Sequence, residues 1–272
     1  MDEMKISIIT VCYNAVSSIQ ATIESVINQN FENIEYIIID GGSTDGTIDV
    51  IRQYEDKISF WISEPDNGIY DAMNKGIARA SGDYVNFMNA GDKLQSDETL
   101  AKIFNKYKNN ADIIYGDTYY IYNDYKLLFK PKPLNQITFT FPICHQSSFI
   151  KTALIKKCPY NTKYKSSADY DFFYNQYMNG KIFEYIPIVV SEYEAEAGIS
   201  ATQILRQRKE SGEINGLGRT FKYRLNTYFL NSKFKCRRYF SLLFPHIISE
   251  LRRKKLMRNG GILISGREIK DA

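Results

Sequence analysis

Four short polar segments in the first half of the chain contain the residue types that bind charged ligands. They are Thr10–Asn14, Asp40–Thr47, Ser63–Gly68 and Asn89–Asp92. Each segment follows an apolar run that predicts a β-strand. In open α/β sheets a ligand lies beyond the carboxyl ends of the strands, because loops and helix N-termini meet there. The four segments together therefore predict a polar rim of the kind that binds a nucleotide.

The usual phosphate-binding motifs are missing from this rim. The chain contains neither GxxxxGKS nor GxxxxGKT, and Gly41-Gly42 does not continue with GxGxxG spacing, so no P-loop or dinucleotide fingerprint is predicted. Taken alone, the segment that begins at Asp40 also fits a tight turn followed by a helix cap. Asp92 alone also fits a cap for a helix that starts near Ser96. For both residues, ligand binding and local capping remain alternatives.

A fifth segment, Ser166–Asp171, places two carboxylates at the start of a helix predicted over 168–179. Asp169 and Asp171 cannot share one face of that helix, because neighbours on a helix face are three or four residues apart. At most one of them can therefore face a substrate, and we expect it to be Asp169. Asp169 could instead cap the helix by accepting backbone N–H groups.

Strand and helix patterns alternate over the first ninety residues. Ile34–Ile39 is almost continuously apolar, as expected for a strand that is buried on both faces of a parallel sheet. Ile69, Met73 and Ile77 recur every four residues and predict a helix. Further strands are predicted at 5–11, 58–62 and 84–88, and further helices at 19–27 and 48–54. This βαβαβαβ order predicts an α/β fold with an open, doubly wound, mostly parallel sheet flanked by helices.

Other local signals complete the predicted elements. Ser17 and Gln20 fit a capping box for the first helix. The later elements, in chain order, are a helix at 96–108, strands or a hairpin at 112–122 and 126–130, a helix at 168–179, two strands within 181–194 and basic helices from about residue 203.

The net charge of +4 hides a strong asymmetry along the chain. Residues 1–203 hold 18 Lys or Arg and 26 Asp or Glu, a net charge of −8, whereas residues 204–272 hold 17 and 5, a net charge of +12. Such a basic segment attracts phosphate groups, whether of nucleic acid or of anionic lipids. The acidic remainder argues against a general nucleic-acid binder, because it would repel that ligand.

Cysteine usage and apolar runs indicate the cellular setting. The four cysteines show no CxxC spacing and the chain has only two histidines, so no structural zinc site is predicted and a reduced cytosolic setting fits best. The N-terminus lacks the basic region and cleavage site of a signal peptide. No apolar run reaches the ~18 residues of a membrane-spanning helix. These features predict a soluble, cytoplasmic protein.

Taken together, the polar segments resemble those of the family 2 glycosyltransferases, which have the GT-A fold. The resemblance is carried by SIITVCYNA, IEYIIIDGGSTDGT, SEPDNGIYDAMNKGIARASGDYVNFMNAGD and SSADYDF, and it covers roughly residues 4–200. In particular, the chain resembles bacterial members that build surface polysaccharides. The resemblance implies an inverting transfer of a sugar from a nucleoside-diphosphate sugar to a glycan or lipid-linked acceptor, usually with Mn²⁺ or Mg²⁺.

The resemblance also implies roles for residues that would bind the donor. Tyr13 would stack on the base, Asp40 would hydrogen-bond the base or ribose, and Asp66 would also bind substrate. The helix that carries Asn74 and Lys75 would approach the diphosphate, where the charge of a lysine is useful. Lys75 taken alone also fits a solvated helix residue.

The chain departs from the family at the Asp-x-Asp metal motif. Asn89 and Gly91 stand at its two acidic positions, and only Asp92 remains as a carboxylate. Either Asp92 takes the metal with help from Asn89 and water, or metal binding is weak until the nucleotide supplies its own phosphate oxygens. Mg²⁺ tolerates the second arrangement, because it keeps several waters and binds through few carboxylates. We expect metal dependence on Mn²⁺ or Mg²⁺ to be retained, with Asp92 as the protein ligand. Met73 stands where the family has an arginine near the diphosphate, which removes one expected phosphate contact.

The resemblance places the catalytic base at Asp169, where it would take the proton from the acceptor hydroxyl. His145 resembles the histidine that often precedes the acceptor region, and it would contact phosphate or the acceptor. A buried structural histidine is the alternative for His145.

The basic C-terminal quarter, residues 203–272, is predicted to be a mainly helical extension of a GT-A domain at 1–202. Its basic clusters flank the apolar stretch Tyr239–Ile248, which is too short to span a bilayer. This pattern is typical of a helix on an anionic membrane surface, although a solvated basic helix packed on the domain also fits. We expect a peripheral protein at the inner face of the cytoplasmic membrane.

One rival function belongs to a different class. A catalytically silent GT-A module that binds nucleotide or glycan as an assembly partner would explain the altered metal motif. The carboxylates Asp40, Asp92 and Asp169 favour an enzyme instead. A nucleic-acid binder that uses the basic tail ranks last.

Overall fold

The structure is a computed structural model that describes residues 4–105, 111–122, 125–196, 203–229, 245–258 and 260–264. Its strands are β1 Ile6–Cys12, β2 Ile34–Asp40, β3 Phe60–Ser63, β4 Tyr84–Phe87, β5 Lys93–Leu94, β6 Ile113–Tyr122, β7 Tyr125–Phe129, β8 Ser148–Lys151, β9 Phe183–Glu194 and β10 Ile262–Ile264. Its helices are α1 Ile19–Ile27, α2 Thr47–Arg52, α3 Ile69–Arg79, α4 Thr99–Phe104, α5 Thr152–Lys157, α6 Ala168–Met178, α7 Ile204–Ile214, α8 221–229 and α9 Pro245–Arg258.

The strands form one mixed sheet whose order is β10-β7-β6-β8-β4-β1-β2-β3. The half that carries β4, β1, β2 and β3 is parallel, with Ile6 opposite Ile34 and Cys12 opposite Asp40. The strands β8, β6, β7 and β10 pair antiparallel. The long strand β9 pairs parallel with β6 and antiparallel with β5. The parallel half and its flanking helices confirm the predicted α/β class.

Both faces of the parallel half are covered, which explains its continuous apolar runs. Every residue of β1 is buried. Ile9 belongs to one core with Met73 of α3, whereas Ile8 belongs to the opposite core with Ile23 of α1. Because successive side chains of a strand point to opposite faces, one strand contributes to both cores.

The helix α3 lies close against β1 because residue 76 is glycine. A Cβ atom at Gly76 would lie 2.5 Å from Cγ2 of Ile9, so a larger residue would push the helix away from the sheet. The first turn of α3, which follows Gly68, lies at the carboxyl end of the parallel strands. Tyr70 in this turn and Met73 in the next turn therefore meet the predicted polar rim.

Two local predictions are wrong. The capping box is not formed, because α1 begins at Ile19 with Ser18 at its N-cap and no side-chain capping hydrogen bond. Gln20 instead donates to Glu24 on the same helix. The segment predicted as two strands is the single strand β9, because it pairs along most of β6 with only local irregularities near Asp117.

The C-terminal quarter contributes a strand as well as the predicted helices. The segments α7, α8 and α9 are helical, but β10 was not predicted; it pairs antiparallel with β7 at the edge of the sheet. Residues 230–244, with the basic cluster at 233–238, lie outside the described residues, as do residues 106–108 of the helix predicted at 96–108. The division at residue 202 stays a prediction. Within the described ranges, no helix is long and apolar enough to cross a bilayer.

Candidate active site

A cavity of about 900 Å³ opens at the carboxyl ends of β1 and β4. Side chains from the loops after these strands, the first turn of α3, the 3₁₀ turn His145–Ser147, α6 and α7 line it. A cavity of this volume is large enough for a nucleotide-sized ligand. It brings together four of the predicted site residues, Tyr13, Asp92, His145 and Asp169.

The loops after β1 and β2 are tied to each other at one corner of the cavity. The N–H of Asn14 donates to Oγ of Ser43 at 2.7 Å, and the N–H of Thr44 donates to Oδ1 of Asn14 at 3.0 Å. Asn14 has a φ of 47°, a left-handed conformation that asparagine tolerates better than most residues. This turn leaves Tyr13 65% exposed, so its side chain is accessible to a ligand.

Asp40 is fully buried beneath this corner. Its Oδ2 atom accepts the N–H groups of Gly42 and Ser43 at 3.0 and 2.8 Å, and the hydroxyl of Ser63 at 2.6 Å. Its Oδ1 atom accepts the hydroxyl of Ser43. Burial alone would raise the pKa of Asp40, but these hydrogen bonds outweigh it and lower the pKa. The carboxylate is thus an anion that holds the turn, and its contact with the base or ribose stays a prediction.

Asp66 lies beside Tyr13, outside the lining of the main cavity. Its Oδ1 atom accepts the N–H of Gly68 at 2.7 Å. A Cβ atom at Gly41 would lie 2.5 Å from Oδ2 of Asp66 and 3.4 Å from Cδ2 of Tyr13. A side chain at position 41 would therefore displace the Asp66 carboxylate from its place beside the tyrosine ring.

Asn74 and Lys75 lie on α3 but do not line the cavity. The amide of Asn74 pairs with the backbone of Tyr160, each hydrogen bond measuring 2.9 Å. The Lys75 ammonium forms an ion pair with Glu64 at 2.7 Å and donates to the carbonyl of Pro65 at 3.0 Å. The structure therefore does not bring these two predicted phosphate contacts to the cavity, whose α3 lining is Ile69, Tyr70 and Met73.

Asp169 lies in the first turn of α6 and lines the cavity. The hydroxyl of Tyr70 donates to its Oδ1 atom at 2.8 Å and so fixes the carboxylate from across the fold. Burial raises the pKa of Asp169, and the hydrogen bond from Tyr70 offsets only part of this rise. Asp171 does not line the cavity; its carboxylate accepts the amide of Asn175 at 3.1 Å.

His145 is buried in an aromatic cluster at the base of the cavity. Its Nε2 atom lies 2.7 Å from the hydroxyl of Tyr160, and its ring centroid lies 4.9 Å from that of Phe87. Burial lowers the pKa of His145 to about 3, so the imidazole is neutral near pH 7. It therefore contributes no positive charge to the cavity.

The donor atoms around Asp92 fit a divalent cation poorly. Oδ1 of Asp92 accepts the N–H of Glu194 at 2.9 Å, and Oδ2 accepts the side-chain amide of Gln146 at 2.8 Å. Burial raises the pKa of Asp92 to about 7, because these two hydrogen bonds only partly offset the loss of water. Within the described ranges, no group of three or more His, Cys, Asp or Glu side chains is placed to hold a metal.

One oxygen near Asp92 is left without a partner. Oδ1 of Asn89 is buried, and none of the described residues donates a hydrogen bond to it. A single amide oxygen beside a carboxylate that is already engaged is a weak ligand set, since Mg²⁺ and Mn²⁺ favour several oxygen ligands with carboxylate among them. Asp92 as a ligand of Mn²⁺ or Mg²⁺ stays a prediction.

The part of the chain that forms these strands and loops is similar to known proteins. Residues 7–168 match the family model described as glycosyl transferase family 2. The chain belongs to glycosyl transferase family 2.

Two bacterial relatives of this family 2 glycosyltransferase carry the name of a biosynthetic product. Over 203 residues it is 30% identical to a PGL/p-HBAD biosynthesis glycosyltransferase of Mycobacterium bovis (strain BCG / Pasteur 1173P2), which covers 72% of this chain and 79% of the relative. Over 96 residues it is 41% identical to the putative teichuronic acid biosynthesis glycosyltransferase TuaG of Bacillus subtilis (strain 168), covering 34% of this chain and 38% of TuaG.

Solved structures with the GT-A fold superpose on this glycosyltransferase. S. aureus TarS 1–349 in complex with UDP-GlcNAc gives a TM-score of 0.61 at 18% identity, covering 78% of this chain and 66% of that one. The mannosyltransferase PcManGT of Pyrobaculum calidifontis, in complex with GDP-Man and Mn²⁺, gives 0.60 at 17% identity, covering 76% and 61%. The chain spans only 39% of a longer TarS chain. These similarities confirm the GT-A fold.

Sequence patterns did not indicate two residues that the glycosyltransferase presents to the cavity. Tyr70 lies within one of the family motifs and directly follows Ile69 on the predicted helix, but nothing in the sequence distinguishes it as a site residue. Arg208 lies on α7, more than a hundred residues from the strand-end segments. No local pattern marks Arg208, because its place in the cavity depends on how α7 packs beside α6.

Proposed function

We propose that this glycosyltransferase transfers a sugar, with inversion, from a nucleoside-diphosphate sugar to a glycan or lipid-linked acceptor in polysaccharide biosynthesis. The observation that carries the proposal is Asp169, a carboxylate that lines the cavity with a raised pKa. The names of the mycobacterial relative and of TuaG support the pathway class. The complexes of TarS with UDP-GlcNAc and of PcManGT with GDP-Man support a nucleotide-sugar donor.

Asp169 acts as the base in a single displacement. It takes the proton of the acceptor hydroxyl as that oxygen attacks the anomeric carbon of the donor. The bond from this carbon to the diphosphate oxygen breaks, and its electron pair leaves on the diphosphate, which inverts the anomeric configuration. A raised pKa suits this role, because a base works best when its pKa lies near the operating pH. Tyr70 holds the carboxylate in position through its 2.8 Å hydrogen bond.

The donor base binds at the corner formed by Tyr13 and Asp66. The exposed Tyr13 ring offers a face for stacking. The Asp66 carboxylate lies beside this ring, next to Gly41, and can accept a hydrogen bond from an N–H or O–H group of the nucleoside. Asp40 acts beneath this corner by holding the turn through Ser43.

The proposed base is tested by a substitution that keeps its shape. A thermal-shift screen of UDP, GDP, CDP and dTDP first identifies the donor nucleotide. Asp169→Asn then lowers the rate at which nucleoside diphosphate is released from the matching sugar donor by at least about 100-fold, because a general base contributes about 10²–10⁴-fold. A silent binding module would bind nucleotide without this turnover.

Asp171→Asn is the matched control, because Asp171 is on the same helix and does not line the cavity. We expect its rate to stay within about threefold of that of the unsubstituted enzyme, as for a side chain outside the reaction site. Turnover of Asp169→Asn at the control rate would show that Asp169 is not the base.

The membrane partner is supported by the exposed face of α8. Phe221, Leu225, Tyr228 and Phe229 are 42–79% exposed, and their spacing puts them on one side of the helix. Lys222 and Arg224 flank this apolar stripe. Aromatic and aliphatic side chains between cations are typical of a helix that lies in an anionic membrane surface. The stripe would hold the enzyme at the inner face of the cytoplasmic membrane, where lipid-linked acceptors are found.

Vesicle binding tests the role of this stripe. The protein should sediment with phosphatidylcholine vesicles that contain phosphatidylglycerol, and much less with phosphatidylcholine alone. The double substitution Phe221→Ser and Phe229→Ser should weaken binding at least about tenfold, since burying each phenylalanine contributes about 2 kcal/mol. Leu205→Ser, on an exposed position of α7, is the control and should bind as before. Equal binding by the double variant would exclude α8 as the contact.

A further inference from the structure

The charges in the cavity do not match the ligand that the proposed function requires. Among the described residues that line it, Asp92, Asp169 and Glu194 carry carboxylates, and Arg208 is the only Lys or Arg side chain. The neutral His145 adds no charge. A diphosphate leaving group gains negative charge as its glycosidic bond breaks, and a positive group beside it stabilises that charge. The cavity therefore needs a cation at the diphosphate.

The position that supplies this cation in the family is altered here. Asn89 and Gly91 replace the acidic residues of the metal motif, and both oxygens of Asp92 already accept hydrogen bonds. Met73, which lines the cavity from α3, carries no charge. Neither the loop after β4 nor α3 therefore provides a strong positive charge to this cavity.

Arg208 is held in a defined orientation by two residues of α8. Its Nε–H donates to Oγ1 of Thr227 at 3.1 Å, and its Cζ atom lies 4.7 Å from the ring centroid of Tyr223. The hydroxyl of Tyr223 donates to the Arg208 carbonyl at 2.7 Å. Arg208 is half-buried, and within the described ranges its Nη1 and Nη2 atoms have no hydrogen-bond partner, so they remain available to a ligand. A planar guanidinium fits two phosphate oxygens at once.

The helix that carries Arg208 is fixed beside the proposed base. Oε2 of Glu210 accepts the N–H and the hydroxyl of Ser166 at 2.9 and 3.1 Å. The hydroxyl of Ser167 donates to the carbonyl of Gln207 at 3.2 Å. Ser166 and Ser167 directly precede α6, whose first turn carries Asp169. Arg208 therefore belongs to the wall of the cavity where sugar transfer would take place.

We propose that Arg208 binds the diphosphate group of a substrate and supplies the positive charge that the altered metal motif lacks. This inference rests on the proposed function, because that function requires a diphosphate in the cavity. The diphosphate belongs either to the nucleotide-sugar donor or to a lipid-linked acceptor. The guanidinium presents the same chemistry to both.

Calorimetric titration in EDTA separates these two sources. The probes are UDP and GDP for the donor, uridine and guanosine as phosphate-free references, and geranyl diphosphate for the acceptor. Arg208→Gln should weaken binding of UDP or GDP about 10–100-fold, the range expected for charge-assisted hydrogen bonds, and should leave nucleoside binding unchanged. A loss confined to geranyl diphosphate would assign Arg208 to the acceptor. Arg208→Lys should recover part of the affinity, because it keeps the charge without the planar fork.

Arg206→Gln is the matched control, because Arg206 lies on α7 two residues earlier, outside the cavity lining, and donates to Gln203. It should bind every probe as the unsubstituted protein does. Unchanged affinity of Arg208→Gln for all diphosphates would overturn the inference. So would a strict requirement for Mn²⁺ or Mg²⁺ in the unsubstituted protein, which would leave the proposed function intact. If no nucleotide binds even with metal, the proposed function fails as well.

Discussion

The carboxyl ends of the parallel strands and the wall formed by α6 and α7 both place charged side chains in or beneath the cavity, but these side chains have different partners. Asp40 accepts five hydrogen bonds, three from the loop residues Gly42 and Ser43 and two from the strand ends Cys12 and Ser63. Asp92 accepts two hydrogen bonds that tie three segments together. On the wall formed by α6 and α7, Tyr70 of α3 positions Asp169, and Thr227 of α8 positions Arg208. Both charged residues still line the cavity.

This difference follows from the geometry of the two regions. Loops that leave parallel strands expose backbone N–H groups that no strand satisfies, and a buried carboxylate can pair with several of them. Helices satisfy most of their own backbone groups, so their side chains remain free for ligands. A carboxylate at a strand end is therefore as much a structural anchor as a ligand contact.

The comparison between strand-end and helix carboxylates predicts the largest loss of stability for a substitution at Asp40. Asp40→Asn places an amide N–H₂ group against hydrogen-bond donors and removes the anion that the turn surrounds. We expect the free energy of unfolding to fall by about 3 kcal/mol, because a buried charged hydrogen-bond network loses its acceptor. Urea unfolding followed by circular dichroism measures the change.

Asp169→Asn is the paired substitution for stability. Its Oδ1 atom can still accept the Tyr70 hydroxyl, and the change removes a desolvated charge, so we expect the free energy of unfolding to change by less than about 1 kcal/mol. The comparison fails if Asp169→Asn destabilises the protein as much as Asp40→Asn does.

Much of the fold was predictable because the parallel strands are buried on both faces. The runs at 34–39 and 84–88 and the spacing of Ile69, Met73 and Ile77 led to elements whose observed bounds differ by only a few residues. Burial on two faces leaves an apolar run that no surface strand shows. Helix ends carry a weaker signal, and the capping box of Ser17 and Gln20 was wrong.

The remaining features depend on contacts between distant segments. β10 is a strand because Ile262–Ile264 pairs with the edge strand β7, and no local sequence pattern predicts this pairing. The same holds for Asn74, which pairs with Tyr160 instead of facing the cavity. Sequence motifs indicated which residues are unusual at this site. They did not indicate whether a protein group or a ligand would satisfy each one.

A smaller effect is expected at Tyr70 of α3, whose hydroxyl contacts Asp169 of α6. Tyr70→Phe keeps the ring but removes the hydroxyl that donates to Asp169 at 2.8 Å. We expect kcat to fall severalfold, since one hydrogen bond contributes about 1 kcal/mol, while the KM of the donor changes little. A role limited to packing would leave both values unchanged.

The pH profile of Tyr70→Phe identifies the cause of this loss. Asp169 must be deprotonated to act as a base, so kcat falls on the acid side as pH drops through its pKa. The Tyr70 hydroxyl stabilises the carboxylate and lowers a pKa that burial has raised. Removing the hydroxyl therefore raises the pKa, and the acid limb of the profile should move to higher pH. Phe141→Leu, at an aromatic side chain in the same cavity lining, should lower kcat without moving that limb. If the acid limb of Tyr70→Phe coincides with that of the unsubstituted enzyme, Tyr70 does not position the base.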